Sequence, residues 1–218
     1  MSAPDTSAPA AAGAPCQAGA AALPAPDDLQ VGTLTWVPAL DRPDLLARPV
    51  AAALARWADA VPAVATHVVV AEIDPDAADT DVMSRTYDIP TDLSANCVLV
   101  SGRRAGEERH AAALVRATAR ADVNGTVKAL LDVRKASFLP MDRAVAESRM
   151  EYGGITPIGL PDGWRVLVDP DVVAAGSVAC VGSGVRRSKL VLAGALLRTL
   201  PGVEVTDGLA LRQDGRRA

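Results

Sequence analysis

The stretch from Met150 to Pro161 constrains this chain most, because it is rich in glycine and proline and yet mostly apolar. It reads MEYGGITPIGLP, whereas surface linkers with this much glycine and proline are usually polar. The pattern therefore predicts a rigid, partly buried loop. Gly153 and Gly154 allow a close backbone approach, while Pro157 restricts Thr156 to extended geometry. Such a loop can present N–H groups to an anion or an oxyanion; a tight turn between a helix and a strand is the alternative.

Length and composition predict one domain with a core of small aliphatic side chains. The chain has 218 residues, of which 50% are hydrophobic and only 3% aromatic. Residues 1–28 are almost entirely Ala, Pro, Gly, Ser and Asp, so we expect a disordered, dispensable tail. The folded domain is expected over residues 29–212, followed by a short C-terminal tail at 213–218. The net charge of −4 argues against a broad, non-specific nucleic-acid binder.

Targeting and metal signals are missing from the sequence. No apolar run approaches the length of a membrane span, and the N-terminus lacks the basic region of a secretory signal. Cys16, Cys97 and Cys180 match no metal spacing and no disulfide framework, and the latter two lie in apolar runs typical of core residues. We therefore expect a reducing, cytoplasmic location, no membrane association, no metal and no cofactor.

Hydrophobic periodicity and turn residues predict an alternation of strands and helices. The region His110–Arg120 is ambiguous, because its composition favours a helix and its alternation favours a strand. Asp122 is a good N-cap for an amphipathic helix over residues 123–131. Strands are expected at Val31–Val37, His67–Ile73, Cys97–Val100, Ala136–Leu139, Arg165–Val168, Val178–Val181, Lys189–Leu192 and Val203–Val205. Helices are expected at Pro49–Ala60, at Asp142–Met150, from Pro170, and at Ala195–Leu200, with turns at Ser101–Gly106 and Gly182–Arg187.

Charge is distributed unevenly along the chain. Residues 59–92 carry eight acidic side chains against Arg85, and residues 101–149 carry ten basic side chains against six acidic ones. The acidic run lacks the glycine and terminal glutamate of a calcium-binding loop, so capped, solvated helices are the better interpretation. The basic run is either an ordinary solvated surface or the face that meets an anionic partner.

No serine-triad, P-loop, dinucleotide or zinc motif is present. His67 and His110 are interpreted as structural residues. An enzyme built from this sequence must therefore work with backbone groups, carboxylates and the substrate itself.

Three motifs in order carry a family resemblance. The loop Gly153–Gly159 resembles the GxxxP loop of the YbaK/EbsC family, which is related to the editing domain of bacterial prolyl-tRNA synthetases. Trp164–Asp169 is similar to the family's strand ending in Asp, and Val181–Arg187 is similar to its Gly-Gly-Arg-Arg turn. The resemblance covers roughly residues 66–210.

The resemblance implies an α/β fold with a mixed sheet curled into an open barrel and helices outside. It also implies a deacylase that acts in trans on the ester of a mischarged tRNA, with an aminoacyl-tRNA synthetase as a further expected partner. On this basis the glycine loop would hold the ester and the substrate's ribose hydroxyl would help the attacking water. The implied catalytic residues are Gly153, Gly154, Thr156 and Pro157; Asp169, Gly184, Arg186 and Arg187 would bind substrate, the last three at phosphates.

One departure from the family concerns catalysis. Family members carry a lysine on the strand before the first long hairpin, and Asn96 stands in the matching stretch of this chain. None of the three lysines, Lys128, Lys135 and Lys189, lies near it in sequence. We therefore expect slow hydrolysis that Asn96→Lys would raise, unless Arg103 or Arg104 supplies the cation. A non-catalytic module that binds an aminoacyl-adenosine end or a protein, and a hydrolase of another small acyl ester, are the alternative functions.

Overall fold

The computed structural model describes residues 23–212. The described chain forms five α-helices, eleven strands and several shorter helical turns. The α-helices are α1 (Arg48–Ala60), α2 (Val64–His67), α3 (Thr80–Tyr87), α4 (Lys128–Leu130) and α5 (Met141–Ser148). The strands are β1 (Val37–Pro38), β2 (Val68–Glu72), β3 (Ala95–Arg104), β4 (Glu107–Arg116), β5 (Ala119–Ala121), β6 (Ala136–Phe138), β7 (Arg165–Val168), β8 (Val178–Gly182), β9 (Ser188–Ala193), β10 (Val203–Val205) and β11 (Ala210–Arg212).

The strands form three sheets. One has the order β1-β2-β9-β8, the second β10-β7-β4-β3-β6, and the third pairs β11 with β5. Strand β7 is parallel to β4 and β10, and the other pairs are antiparallel, so the predicted mixed character is confirmed. The predicted barrel is wrong: no sheet within residues 23–212 closes, because a single bridge, Ser94 to Cys180, links the two large sheets.

The central hairpin is longer than the sequence indicated. Strands β3 and β4 pair over ten residues each, from Ala95 opposite Arg116 to Arg104 opposite Glu107. The ambiguous region at 110–120 is thus mostly strand. The polar residues at 101–104 that suggested a turn continue β3, and the turn itself is only Ala105 and Gly106. Arg103 and Arg104 are charged because they are exposed at the outer end of the hairpin, and not because the chain reverses there.

The remaining elements mostly follow the sequence, with several differences. The predicted strand at 31–37 is a turn that enters the two-residue β1, and the predicted helix from Pro170 is only a turn. The helix expected at 195–200 is a 3₁₀ helix, Gly194–Thr199. Strands β5 and β11 were not predicted. Asp122 caps as expected, but the turn it caps, Val123–Val127, is π-helical before α4.

The main core lies between α1 and the two large sheets. Leu54 and Trp57 on α1 are almost fully buried, as are Leu190 and Leu192 on β9. The Trp57 indole N–H donates a 2.9 Å hydrogen bond to Thr199 Oγ1, which satisfies its only polar atom. Strand β9 is internal to its sheet and buried along its whole length, so it is a central part of this core.

The junction between the two large sheets is fixed by Arg116 at the end of β4. Its Nη1 donates to the carbonyl oxygens of Leu93 (3.1 Å) and Val178 (2.8 Å), and its Nη2 to that of Asp171 (3.0 Å). Burial lowers the pKa of the guanidinium, which nevertheless stays charged. One side chain thus provides the donors for carbonyls from three separate segments.

We expect Arg116→Met to destabilise the fold, because the apolar side chain leaves partly buried carbonyl oxygens without their donor. The predicted loss is about 1–3 kcal/mol of unfolding free energy. Urea denaturation of Arg116→Met and of the control Arg120→Met, whose side chain is exposed on β5, provides the measurement. Equal midpoints for the two variants would show that Arg116 does not join the sheets.

Part of the segment before the expected boundary at residue 29 is described and contacts the core. A 3₁₀ turn spans Pro26–Leu29, Leu29 is fully buried, and Leu23 packs against the main core. Of the tail predicted at residues 1–28, residues 1–22 lie outside the described residues, and so does the tail predicted at 213–218.

Leu29→Ala should therefore lower the unfolding free energy by about 2–4 kcal/mol, as expected for a buried leucine. The matched control is Asp27→Ala in the same turn, where the side chain is exposed. A thermal melt compares the two. If both variants melt with the wild type, the N-terminal turn contributes nothing to the core.

Candidate functional site

A cavity of about 310 Å³ opens where the two large sheets meet. It lies between the start of α3, the start of β3, the glycine loop and the facing ends of β8 and β9. Most of its polar groups come from residues far apart in sequence. The lining residues are Ala78, Asp79, Thr80, Met83, Ser94, Ala95, Asn96, Cys97, Val98, Tyr152, Gly153, Ile155, Cys180, Val181, Gly182 and Lys189.

The glycine loop is clamped to the turn between β8 and β9. The N–H of Glu151 donates to the carbonyl oxygen of Gly184 (2.8 Å), and the N–H of Gly184 donates to that of Gly154 (2.7 Å). A Cβ on Gly154 would lie 2.6 Å from backbone atoms of Val185, and one on Gly182 would lie 2.2 Å from the Gly154 oxygen. The two predicted motifs therefore meet backbone to backbone, which only residues without side chains permit.

The clamp determines which loop N–H groups are free. The N–H of Gly154 donates to the carbonyl oxygen of Glu151 at 2.9 Å and is therefore occupied. Gly153 and Ile155 both line the cavity, and neither backbone N–H has a hydrogen-bond acceptor anywhere in residues 23–212. Gly153 has a φ of +82°, which turns its peptide groups relative to their neighbours. Gly153 and Ile155, rather than Gly154, are the candidate donors to an oxyanion.

Thr156 and Pro157 belong to the glycine loop but do not line the cavity. Thr156 is fully buried, and its hydroxyl has no hydrogen-bond partner among the described residues. Pro157 lines a different cleft, of about 250 Å³, together with Trp57 and Pro201. Their predicted part in catalysis can only be indirect, through the shape of the loop.

Asn96 lies on the cavity wall near the start of β3. Its side chain is exposed, and Oδ1 accepts a 3.1 Å hydrogen bond from the hydroxyl of Thr80. The amide NH₂ group has no acceptor within the described chain, so it can donate to a ligand. A substituent at this position would enter open space rather than a closed core.

Lys189 shares this cavity, although the sequence separates it from Asn96 by most of the domain. It lies on β9 opposite Gly182, is only 7% exposed, and its Nζ donates a 3.1 Å hydrogen bond to the carbonyl oxygen of Gly153. Burial lowers the pKa of its ammonium group, Arg186 lowers it further, and Cys180 and Asp79 act in the opposite direction. A lysine therefore is present in the cavity, on a different strand from the one expected.

The sequence contained a sign of this lysine that we did not use. Lys189 begins the run Lys-Leu-Val-Leu, which we interpreted only as a strand. The structure extends the strand to Ser188 and buries every residue in it. A charged residue inside a fully buried strand is rare unless it has a function or a partner, and that pattern could have identified it.

Two thiols line the cavity without being activated. Burial raises the pKa of Cys97 to about 12 and that of Cys180 to about 11, the latter despite the nearby Lys189. Both therefore stay protonated at neutral pH, which argues against a thiolate nucleophile.

The two turn arginines differ in position. Arg186 lies over the glycine loop, with Nη1 at 3.5 Å from Asp79 Oδ1 at the cavity wall, and its backbone N–H donates to Glu151 Oε2 at 2.6 Å. Arg187 points away, pairs with Glu72 at 3.1 Å and donates to the carbonyl oxygen of Asp44. Only Arg186 is therefore placed beside the cavity.

Asp169 is structural in its contacts. It is 4% exposed and does not line the cavity. Its two carboxylate oxygens accept hydrogen bonds from the backbone N–H groups of Asp171 (3.1 Å) and Ala210 (3.2 Å). Burial raises its pKa, and these two hydrogen bonds oppose the shift. This position does not support the predicted contact with substrate.

The two histidines are not part of the cavity lining. His110 stacks on Trp164 with ring centroids 4.6 Å apart, and its Nε2 lies 3.3 Å from Glu147 Oε2 without forming a hydrogen bond. His67 lies at the end of α2, where Nδ1 is 3.1 Å from the carbonyl oxygen of Ala63.

Most arginines of the β3–β4 hairpin, and Arg143 on α5, form ion pairs within the basic segment at 101–149. Arg104 and Arg109 both pair with Asp132, and Arg143 pairs with Glu108 and Glu147. Arg103 and Arg104 lie at the far end of β3, roughly 25 Å from Asn96 at about 3.3 Å per residue. At this distance neither arginine can supply the positive charge that is missing at Asn96.

A groove of about 720 Å³ adjoins the turn on the side away from the cavity. Leu46, Met150 and Val185 contribute apolar surface, while Arg48 at the start of α1 and Arg149 at the end of α5 flank it. Both arginines are exposed and neither has an acidic partner in the described part of the chain. Gly184 lines this groove, so the turn separates it from the cavity.

Within residues 23–212 no helix is long and apolar enough to span a bilayer, and no cluster of three or more potential metal ligands occurs.

The fold is similar to that of two solved proteins. A candidate trans-editing enzyme for prolyl tRNA synthetase superposes with a TM-score of 0.60 at 18% identity, covering 74% of this chain and 94% of that one. The hypothetical protein APE2540 gives a TM-score of 0.57 at 15% identity, covering 69% and 95% of the two chains. At these identities the similarity concerns the fold alone. No curated protein matches the sequence.

The family model described as the aminoacyl-tRNA editing domain matches residues 74–200. The match includes the start of β3, the glycine loop and the β8–β9 turn, which together form the cavity. This chain belongs to the aminoacyl-tRNA editing domain family.

Proposed function

We propose that this protein hydrolyses, in trans, the ester bond between a wrongly attached amino acid and the terminal ribose of a tRNA. The observation that carries the proposal is the cavity wall formed by the clamped glycine loop. There, the N–H groups of Gly153 and Ile155 belong to the clamped loop and have no acceptor within residues 23–212. Fixed donors of this kind stabilise the negative charge that develops on a carbonyl oxygen during ester hydrolysis.

The proposed reaction uses the backbone N–H groups of the loop to bind the developing oxyanion. A water oxygen attacks the ester carbonyl carbon and the carbonyl oxygen becomes an oxyanion, which the two loop N–H groups bind. The bond from carbon to the ribose oxygen then breaks, and the ribose oxygen takes a proton that the water lost. Asn96 can donate from its free amide to the ribose hydroxyls. The buried thiols of Cys97 and Cys180 stay protonated and provide the apolar part of the wall.

The rim of the cavity suits the terminal nucleoside. Tyr152 is 58% exposed and is an uncovered aromatic ring at the cavity edge. Bases stack on such rings without strong sequence preference, as a tRNA 3′ end requires. Arg186, beside the loop and the mouth, is placed to meet the phosphate that precedes this nucleoside.

The groove on the other side of the turn is the proposed track for the acceptor end. Among the described residues Arg48 and Arg149 have no acidic partner, whereas most arginines of the hairpin are paired. Unpaired arginines beside a groove match a phosphate backbone in charge. We therefore propose that the basic face expected within residues 101–149 meets tRNA at this groove, through Arg149, and not along the hairpin.

A deacylation assay with cognate and mischarged aminoacyl-tRNAs tests the proposed function. Wild type should release amino acid from at least one mischarged tRNA faster than the spontaneous rate. Asn96→Phe, which fills the cavity mouth, should reduce the rate at least about tenfold, equivalent to about 1.4 kcal/mol.

The control is Glu107→Phe, at the exposed tip of the same hairpin, which should keep full activity. Binding without release by wild type would identify a non-catalytic module instead. Release from small acyl esters but not from any tRNA would identify another esterase.

The groove predicts a specific salt dependence. Affinity for tRNA should fall with added salt, and the double variant Arg48→Ala/Arg149→Ala should weaken binding and reduce the slope of log K against log salt by about 1–2. Filter binding at several salt concentrations gives the slope.

The matched control is Arg103→Ala/Arg104→Ala at the hairpin tip, where the slope should stay as in wild type. If the hairpin variant lowers the slope and the groove variant does not, the tRNA lies along the hairpin.

A further inference from the structure

Lys189 is the one buried cation that lines the cavity, within the part of the chain that the structure describes. Its ammonium group carries three donors, and a single hydrogen bond, to the carbonyl oxygen of Gly153, is formed within residues 23–212. The carboxylate of Asp79 favours the charged ammonium, whereas the guanidinium of Arg186 disfavours it. The cost of burying the ammonium is therefore not fully compensated. Two N–H donors thus remain for a ligand.

A purely structural explanation fits this lysine poorly. The residues that follow it on β9, Leu190 to Ala193, are all apolar and buried, and a methionine or leucine at 189 would continue this core at no desolvation cost. The Gly153 carbonyl that it binds belongs to the same loop segment that lines the cavity and has N–H groups without an acceptor in residues 23–212. The ammonium therefore lies beside the fixed N–H donors.

Building on the proposed deacylase function, we infer that Lys189 is a catalytic residue whose ammonium group contacts the substrate ester and stabilises the charge that develops on it. The cation reaches the cavity from β9, across from Asn96 on β3. The chain therefore has the positive charge that the sequence of β3 lacks. The position of the ammonium, and not the strand that carries it, matters for the chemistry.

Asn96 provides a direct test, because it lines the same cavity and its side chain points into open space. A lysine at 96 can reach the cavity from the opposite wall. In wild type it would put two ammonium groups into one cavity, and their mutual repulsion would lower both pKa values. Asn96→Lys should therefore help only when Lys189 is absent, which revises the gain expected from the sequence.

The proposed experiment compares wild type, Lys189→Met, Asn96→Lys, and Asn96→Lys/Lys189→Met. In the deacylation assay Lys189→Met should lower kcat about 100-fold, as loss of an oxyanion donor does, with a much smaller change in KM. The double variant should regain about tenfold or more, and Asn96→Lys alone should give no gain. The control Lys135→Met, at an exposed lysine, should match wild type.

Stability separates a catalytic from a structural role. Lys189→Met should melt within about 3 °C of wild type, because the lost hydrogen bond and the relieved desolvation oppose each other. Activity lost together with a fall in melting temperature well beyond that, and no rescue by Asn96→Lys, would overturn the inference and identify Lys189 as a support for the loop.

The pH profile gives a second readout. Because burial lowers the pKa of Lys189, its cationic form disappears at lower pH than that of an exposed lysine. The rate of wild type above the spontaneous rate should therefore fall on the alkaline side. The residual rate of Lys189→Arg should not, since arginine stays charged there. Parallel alkaline falls in both would contradict the inference.

Binding of a stable 3′-aminoacylamido-adenosine distinguishes failure of this inference from failure of the proposed function. If wild type binds it but hydrolyses nothing, and Lys189→Met loses binding, the lysine contacts ligand in a non-catalytic module. If Lys189→Met hydrolyses as wild type does, the function stands and the inference is wrong. If wild type neither binds nor hydrolyses, both are overturned.

Discussion

The structure of the site depends on a backbone-to-backbone contact between two segments that both require glycine. Gly154 lies against the backbone of Val185, and Gly182 lies against the Gly154 carbonyl, at distances that leave no room for a Cβ. This contact positions the glycine loop relative to β8 and β9. It thereby decides which N–H groups face the cavity and where the Gly153 carbonyl meets Lys189. The chemistry proposed for the cavity follows from this close approach.

Local patterns were sufficient to predict much of the fold but not its closure. Alternation and turn residues located β2, β7, β8, β9 and α1, because each has a local hydrophobic period or clear end residues. Strand β3 was predicted too short, since it continues through Ser101 and Gly102 to two exposed arginines that suggested a turn. The barrel was wrong because sheet closure depends on pairing between distant strands, which no local pattern specifies.

In the site, too, local sequence motifs were predicted correctly, whereas contacts between residues far apart in sequence were not. The glycine loop and the turn were identified from their residues, and the structure joins them. Asp169 was assigned to substrate, although its carboxylate accepts two backbone hydrogen bonds. Lys189 is far from Asn96 in the sequence, so the sequence did not indicate that the two share a cavity. The pairing of β9 with β8 brings Lys189 there. Which groups share a cavity is a property of topology, and the spacing of residues along the chain does not determine it.

The place of β9 in its sheet also has a consequence for synthesis on the ribosome. This strand is inserted between β2 and β8, so that Val69 pairs with Val191 across most of the domain. Pairings this distant form only after the intervening chain exists, and domains fold as units during translation. An incomplete nascent chain therefore has no cavity wall at β9. The cavity proposed to bind the tRNA end therefore forms only when nearly the whole domain has been synthesised.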